Sequence, residues 1–187
     1  MVKTGFHYVS IGTWNELKNN NARFIEPIRR LVSARTITDM DIPKLPHWAH
    51  DAYIFAFPDK DGPESWKKYK RGNAEWDVLT KNIGSKIIGF KFDLLPTDEA
   101  YVVDRSHFAD WQYGITNDRQ EAFRKYAFSR VPASEYDGIF RMPELLISNP
   151  IALDRLVVHC MFEREIIYNR DGMRRPEIEY ASCVLNL

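Results

Sequence analysis

Arg141-Met-Pro-Glu-Leu-Leu-Ile-Ser-Asn-Pro-Ile-Ala-Leu-Asp-Arg-Leu156 is the stretch on which the reading of this chain turns. Leu145, Leu146 and Ile147 form an apolar run of strand length, bounded by turn residues. Pro143 has no N–H for a ladder, so it belongs at the first residue or the edge of that strand. A turn follows, and a second hydrophobic segment begins at Ile151. Glu144 is then a carboxylate at the mouth of a rigid strand, beside buried apolar neighbours. Such a group has a fixed aim and an environment that perturbs its ionisation. Glu144 is therefore the candidate catalytic residue.

Working outward, Phe6-His-Tyr-Val-Ser10 reads as a first strand. Thr13 with Glu16 three residues on has capping-box spacing and predicts a helix, which Asn19-Asn-Asn21 should end. Phe24, Ile25, Ile28, Leu31 and Val32 recur at helical spacing, with Pro27 inside the segment. Residues 36–50 read as a long loop. Residues 52–57 form a strand, and short helices follow at 64–69 and from Asn73 to Ile83. Residues 86–95 are the longest strand candidate, with Ala100-Tyr-Val-Val-Asp104 as its partner. Asp104 and Ser106 both suit the cap of a helix start, and residues 117–128 read as an amphipathic helix. Strands at 156–162 and 178–185 flank a hairpin around Asp171-Gly172. Strands and helices mix without regular βαβ alternation, so the expected class is α+β, as a single domain over residues 1–187.

Composition narrows the function. The 26 basic and 26 acidic residues cancel, which argues against binding nucleic acid or membranes through a global field. A local basic patch remains open. Nothing approaches a transmembrane run, and the N-terminus lacks the apolar core of a secretion signal. Cys160 and Cys183 sit among apolar residues and read as small buried hydrophobes. A low cysteine count suits a reducing compartment, so a cytoplasmic location is expected. Neither a dinucleotide-binding glycine motif, a P-loop, a zinc-protease motif nor a nucleophile elbow occurs.

The histidines divide by context. His7 on the first strand reads as a hydrogen-bonding residue or a ligand contact, and His159 as a core histidine. His107 stands beside Asp104 and Asp110, where a general-base role is the lesser reading. His47 and His50 have no cysteine or carboxylate cluster for a metal. Trp66, Tyr69 and Trp76 interleave with Lys67, Lys68, Lys70 and Arg71. That patch is a solvated helix face or, in the functional reading, a nucleic-acid contact surface. Arg23, Arg29, Arg30 and Arg35 form a second basic cluster suited to bidentate phosphate contacts.

The order Phe6-His-Tyr-Val-Ser10 plus helix, Asp51-Ala-Tyr-Ile-Phe-Ala-Phe57, then Pro143-Glu-Leu-Leu-Ile147 followed by Asn149-Pro-Ile-Ala-Leu-Asp-Arg-Leu156 resembles ADP-ribosyltransferase-fold proteins, in particular the DarT-like branch. The resemblance implies a mixed, mainly antiparallel sheet core split into two halves around a cleft for NAD, the substrate. It implies that Glu144 is catalytic and that His7 holds the NAD ribose. It further implies that Tyr53 lines the nicotinamide pocket and that one of Arg29, Arg30 and Arg35 meets the diphosphate. The acceptor, nucleic acid or protein, stays open, as does plain NAD hydrolysis. The family's Ser-Thr-Ser strand motif is missing. Glu163-Arg-Glu165 and Glu177-Ile-Glu179 have the spacing of arginine-directed members, and a solvated strand face explains them equally. The implied role is that of a toxin, effector or defence enzyme. The alternative from a different class is a non-catalytic nucleic-acid or protein binding module that uses the aromatic and basic patch.

Overall fold

A computed structural model of the chain describes residues 1–28, 51–62, 66, 83, 86–112, 115–164 and 180–181. The class is α+β with mainly antiparallel sheets and few helices. One four-stranded sheet runs in the order β1 (Thr4–Ser10), β4 (Lys86–Asp93), β9 (Val157–Arg164), β10 (Tyr180–Ala181). The other runs β3 (Ile54–Ala56), β7 (Pro143–Ile147), β5 (Ala100–Asp104), β6 (Val131–Pro132). A short pair joins β2 (Phe24–Ile25) to β8 (Ile151–Ala152). Every described strand pair is antiparallel, so the parallel component of the expected mixed sheet is not among them.

Among the described residues, a backbone bridge links the two larger sheets, Phe6 to Phe57, with N–H···O bonds of 2.9 and 2.8 Å. Beyond it the two strands do not continue as a ladder. The His7 ring supplies the next link, with Nδ1 2.7 Å from the Phe55 carbonyl oxygen.

Alternation assigns the faces. Gly5 shares a face with Phe92 and Leu145, since a Cβ on Gly5 would stand 2.3 Å from Phe92 and 3.0 Å from Leu145. His7, two residues on, belongs to that face. There Leu145, Ile147, Val102 and Ile151 are fully buried with Ile25 and Ile54. Helix α1 (Ile11–Asn19) lies over it, with Trp14 4.5 Å from Phe90 and Leu17 against the core. The opposite face carries Phe6, Phe57, Glu144, Leu146 and Val103. It packs under α2 (Ser106–Gln112) and α3 (Arg119–Phe128), through Ala109, Tyr126 and Phe123. Leu145, Leu146 and Ile147 are each 0% exposed, and such burial contributes about 1.5–3 kcal/mol per side chain. Strand β7 is thus the central plank from which Glu144 projects.

Several local expectations change. Residues 24–28 are extended rather than helical: Ile25 pairs with Ile151, and Ile28 bridges Tyr53. Pro27 cannot sit comfortably in a helix interior, and pairing with β8 and Tyr53 takes its place. Helix α1 starts at Ile11 rather than after Thr13, because the Ser10 hydroxyl accepts from the Thr13 N–H at 2.9 Å and is itself the cap. The asparagines do end it, with Asn21 in the left-handed region at φ 51°. Strand β5 pairs with β7 and β6 instead of with 86–95. A turn redirects the chain: Leu95 N–H donates to the Asp98 carboxylate and Asp98 N–H returns to the Leu95 carbonyl. His159 is exposed on β9, not a core residue. Its ring stands edge-on to Phe6 at 5.1 Å, and Nε2 lies 3.2 Å from the Lys60 carbonyl. Cys160 is half-buried. No helix among the described residues is long and apolar enough to cross a membrane.

Candidate active site around Glu144

Glu144 is the second residue of β7, directly after the proline that starts it. Its register partner on β5 is Val103. That places the carboxylate under α3, where it is 8% exposed. A buried carboxylate needs partners, and among the described residues Tyr126 and Arg105 approach it from different elements. The Tyr126 hydroxyl, from α3, donates to Oε2 at 2.8 Å. The Arg105 guanidinium, from the junction between β5 and α2, comes within 3.8 Å of Oε1. The Arg105 side chain is 23% exposed and that of Glu144 10%.

The backbone around this group is tied down by one aspartate. Asp104 Oδ1 accepts from Ser106 N–H at 3.0 Å and from Met142 N–H at 3.2 Å. Asp104 thereby ties the first amide of α2 to the approach of β7, with Arg105 next to it in the chain. The Asp104 N–H donates in turn to Ser129 Oγ at 2.8 Å, at the end of α3. Trp66 Nε1–H donates to the Pro143 carbonyl at 3.1 Å and closes the strand's first residue from the side.

Burial pushes the Tyr126 phenol well above its ordinary value, and the neighbouring Glu144 carboxylate adds to the shift. Tyr126 therefore stays protonated and serves Glu144 as a donor. Tyr53 lies in the same side-chain cluster as Tyr126, Val103 and Leu146. It is 1% exposed, and burial pushes its phenol up to about 12, with Asp51 nearby and Arg130 opposing. Arg130 in turn stacks 3.4 Å over the Tyr101 ring. Burial lowers His107 below its ordinary value, so it favours the neutral ring.

The predicted site residues separate. Glu144 and Tyr53 share one face of one sheet, with Tyr126 in contact with both through that cluster. His7 does not join them: it lies on the opposite face and fixes the joint between the sheets. Arg29, Arg30 and Arg35 lie outside the described residues, as do His47, His50, Cys183, Glu165, Glu177 and most of the basic and aromatic patch. Trp66 of that patch is 2% exposed and packed on Phe57 at 4.9 Å, so this ring is core and not a stacking platform. Arg105 and Tyr126 were not singled out from the sequence. Arg105 follows directly after a strand end, and Tyr126 sits on an amphipathic helix face, where its ring reads simply as apolar.

A cleft of about 810 Å³ opens beside the sheet junction, lined among others by Thr4, Asp59, Tyr136, Arg141 and Pro143. Arg141 links that cleft to the Glu144 side of the molecule, since its Nη2 bonds Asp110 of α2 at 2.9 Å. Comparison with known protein families, with curated proteins and with solved structures finds no match to this chain.

Proposed function

We propose that the chain is an NAD-consuming ADP-ribosyltransferase or NAD glycohydrolase in which Glu144 stabilises the ribosyl transition state. The observation that carries this reading is the fixation of Glu144. It is a nearly buried carboxylate at the start of a rigid strand, held on one oxygen by Tyr126 and faced on the other by Arg105. Positioned charge of this kind acts where positive charge develops. In the reaction the bond between ribose C1′ and the nicotinamide nitrogen breaks, and its electron pair leaves with nicotinamide. The ribosyl centre becomes cationic and is captured by an oxygen or nitrogen nucleophile of the acceptor, or by water. The nucleophile's proton passes to a base, and Glu144 is the carboxylate placed to take it.

The division of the core into two larger sheets supports the same reading. The acceptor is a nucleic acid, a protein side chain or water, and the role that of a toxin, effector or defence enzyme. The test is nicotinamide release from NAD by the wild-type chain and by Glu144→Gln, with folding of both checked by circular dichroism. Full release by the folded variant would overturn the assignment.

A further inference from the structure

We infer that Asp104 is a positioning residue for the proposed reaction: its carboxylate fixes the spacing between the chain segments that carry Arg105 and Glu144. The inference rests on the reading of Glu144 given above and extends it one step behind that residue. Asp104 is the last residue of β5, opposite Pro143 in the register, and is 6% exposed. Among the described residues its carboxylate takes three donors, all main-chain amides. Oδ1 accepts from Ser106 N–H at 3.0 Å and from Met142 N–H at 3.2 Å, and Oδ2 accepts from Arg141 N–H at 3.4 Å. The bond to Ser106 closes a turn around Arg105. The bonds to Arg141 and Met142 stop short of Glu144 by Pro143, whose ring locks its φ. Arg105 N–H, donating to the Met142 carbonyl at 2.9 Å, ties the same two segments again.

A buried carboxylate bonded to amides in this way holds main chain in place. Two short tethers lead from it, one to Arg105 and one through Pro143 to Glu144. At their ends Arg105 Nη1 and Glu144 Oε1 stand 3.8 Å apart. Helix α3 is attached differently. The Asp104 N–H donates to Ser129 Oγ at 2.8 Å, and that hydroxyl donates to the Tyr126 carbonyl at 2.7 Å. A side-chain substitution at Asp104 leaves that main-chain donor in place and acts on the Arg105 and Glu144 segments. A carboxylate that must meet developing charge tolerates little displacement, since a misplacement of about 1 Å costs on the order of 100-fold in rate.

The experiment measures kcat and KM of nicotinamide release from NAD for wild type, Asp104→Ser, Asp104→Asn, Glu144→Gln, Asp104→Ser with Glu144→Gln, and Gly5→Ala. Circular dichroism and melting curves set an assay temperature at which each protein is folded. A serine hydroxyl can still accept from the Ser106 amide but is too short to span to residues 141 and 142 as well. Asp104→Ser is expected to lower kcat roughly 10- to 100-fold with little change in KM. Asparagine keeps one oxygen for the amides and loses the other, so Asp104→Asn should fall between, at about 3- to 10-fold, the rate equivalent of one hydrogen bond. Gly5→Ala strains the core on the other face of the sheet and should keep the wild-type kcat, which separates positioning from loss of stability. The double variant should be no slower than Glu144→Gln alone, because Asp104 acts through Glu144. Wild-type kcat in Asp104→Asn and in any folded Asp104→Ser, beside an inactive Glu144→Gln, overturns the positioning role and leaves that of Glu144 standing. So does a kcat in Gly5→Ala that falls as far as in Asp104→Ser, or a double variant slower than Glu144→Gln. A fully active Glu144→Gln, or no release by wild type, overturns the role of Glu144 and that of Asp104 with it.

Discussion

The Tyr126 hydroxyl donates to Oε2 of Glu144 across 2.8 Å, from the last turn of helix α3 onto the start of strand β7. The contact joins two elements that pack through apolar side chains elsewhere, so it is a polar stitch in a hydrophobic layer. A bond of this kind, with a charged acceptor, contributes about 1.5–3 kcal/mol. Tyr126→Phe should therefore lower the melting temperature by roughly 3–12 °C in a chain of this size. An unchanged melting temperature in a calorimetric scan would show that the bond carries no stability.

Asp98 should behave as an acid-sensitive latch. Its side chain is 1% exposed and pairs with Arg155, while Leu95 N–H and Asn149 also donate to it. Burial pushes its carboxyl up, but Arg155, the Leu95 amide and Asn149 together outweigh that and hold it below the ordinary carboxylate value. A depressed folded value means that the contribution is complete above the unfolded value of about 3.9, and is lost as pH falls through the lower folded value. Asp98→Asn should be about 1.5–3 kcal/mol less stable than wild type at pH 7, with the difference shrinking below pH 4. Urea midpoints at several pH values measure this, and a constant difference across pH would contradict it.

Tyr53 predicts the opposite sign at the alkaline end. Burial raises its phenol to about 12, so the folded state holds a proton that the unfolded chain releases near the ordinary value of 10. Its contribution is present in full below pH 10 and is lost as pH rises through about 12. Wild type should therefore lose stability more steeply between those values than Tyr53→Phe does. Equal slopes in denaturant titrations would refute the assignment.

Gly5 holds a position with no room for a side chain. A Cβ there would lie 2.3 Å from the Phe92 ring and 3.0 Å from Leu145, where β1 meets the core. Gly5→Ala should cost about 1–3 kcal/mol by overpacking. Pairing it with Phe92→Leu should recover part of that loss. A double variant whose loss equals the sum of the two single losses would indicate no shared contact.

Much of the frame was legible because it rests on local chemistry. Pro143 does start its strand, and Asp104 does accept from the first amide of the helix after it, since a missing N–H and a short carboxylate act within a few residues. Residues 24–28 were misread because an apolar repeat at helical spacing also fits an extended segment with Pro27 inside it. Pairing with Ile151 and Tyr53 decided the matter, and such long-range partners are invisible to periodicity. His159 was misread for a related reason: an apolar neighbourhood in sequence does not say which strand face is covered. At the site, Glu144 stood out by its setting on β7. Arg105 and Tyr126 did not, because each lies far from Glu144 in sequence and they meet only when β5, α3 and β7 pack. The same packing separated His7 from Glu144, two residues whose order in the chain had suggested a common cleft.

The most direct measurement is the release of labelled nicotinamide from NAD by folded wild type and folded Glu144→Gln at equal concentration. The account predicts turnover by wild type and a loss of about 100-fold or more in the variant, the scale of removing one preorganised electrostatic contact. Equal release by the two proteins, or none by wild type, would contradict it.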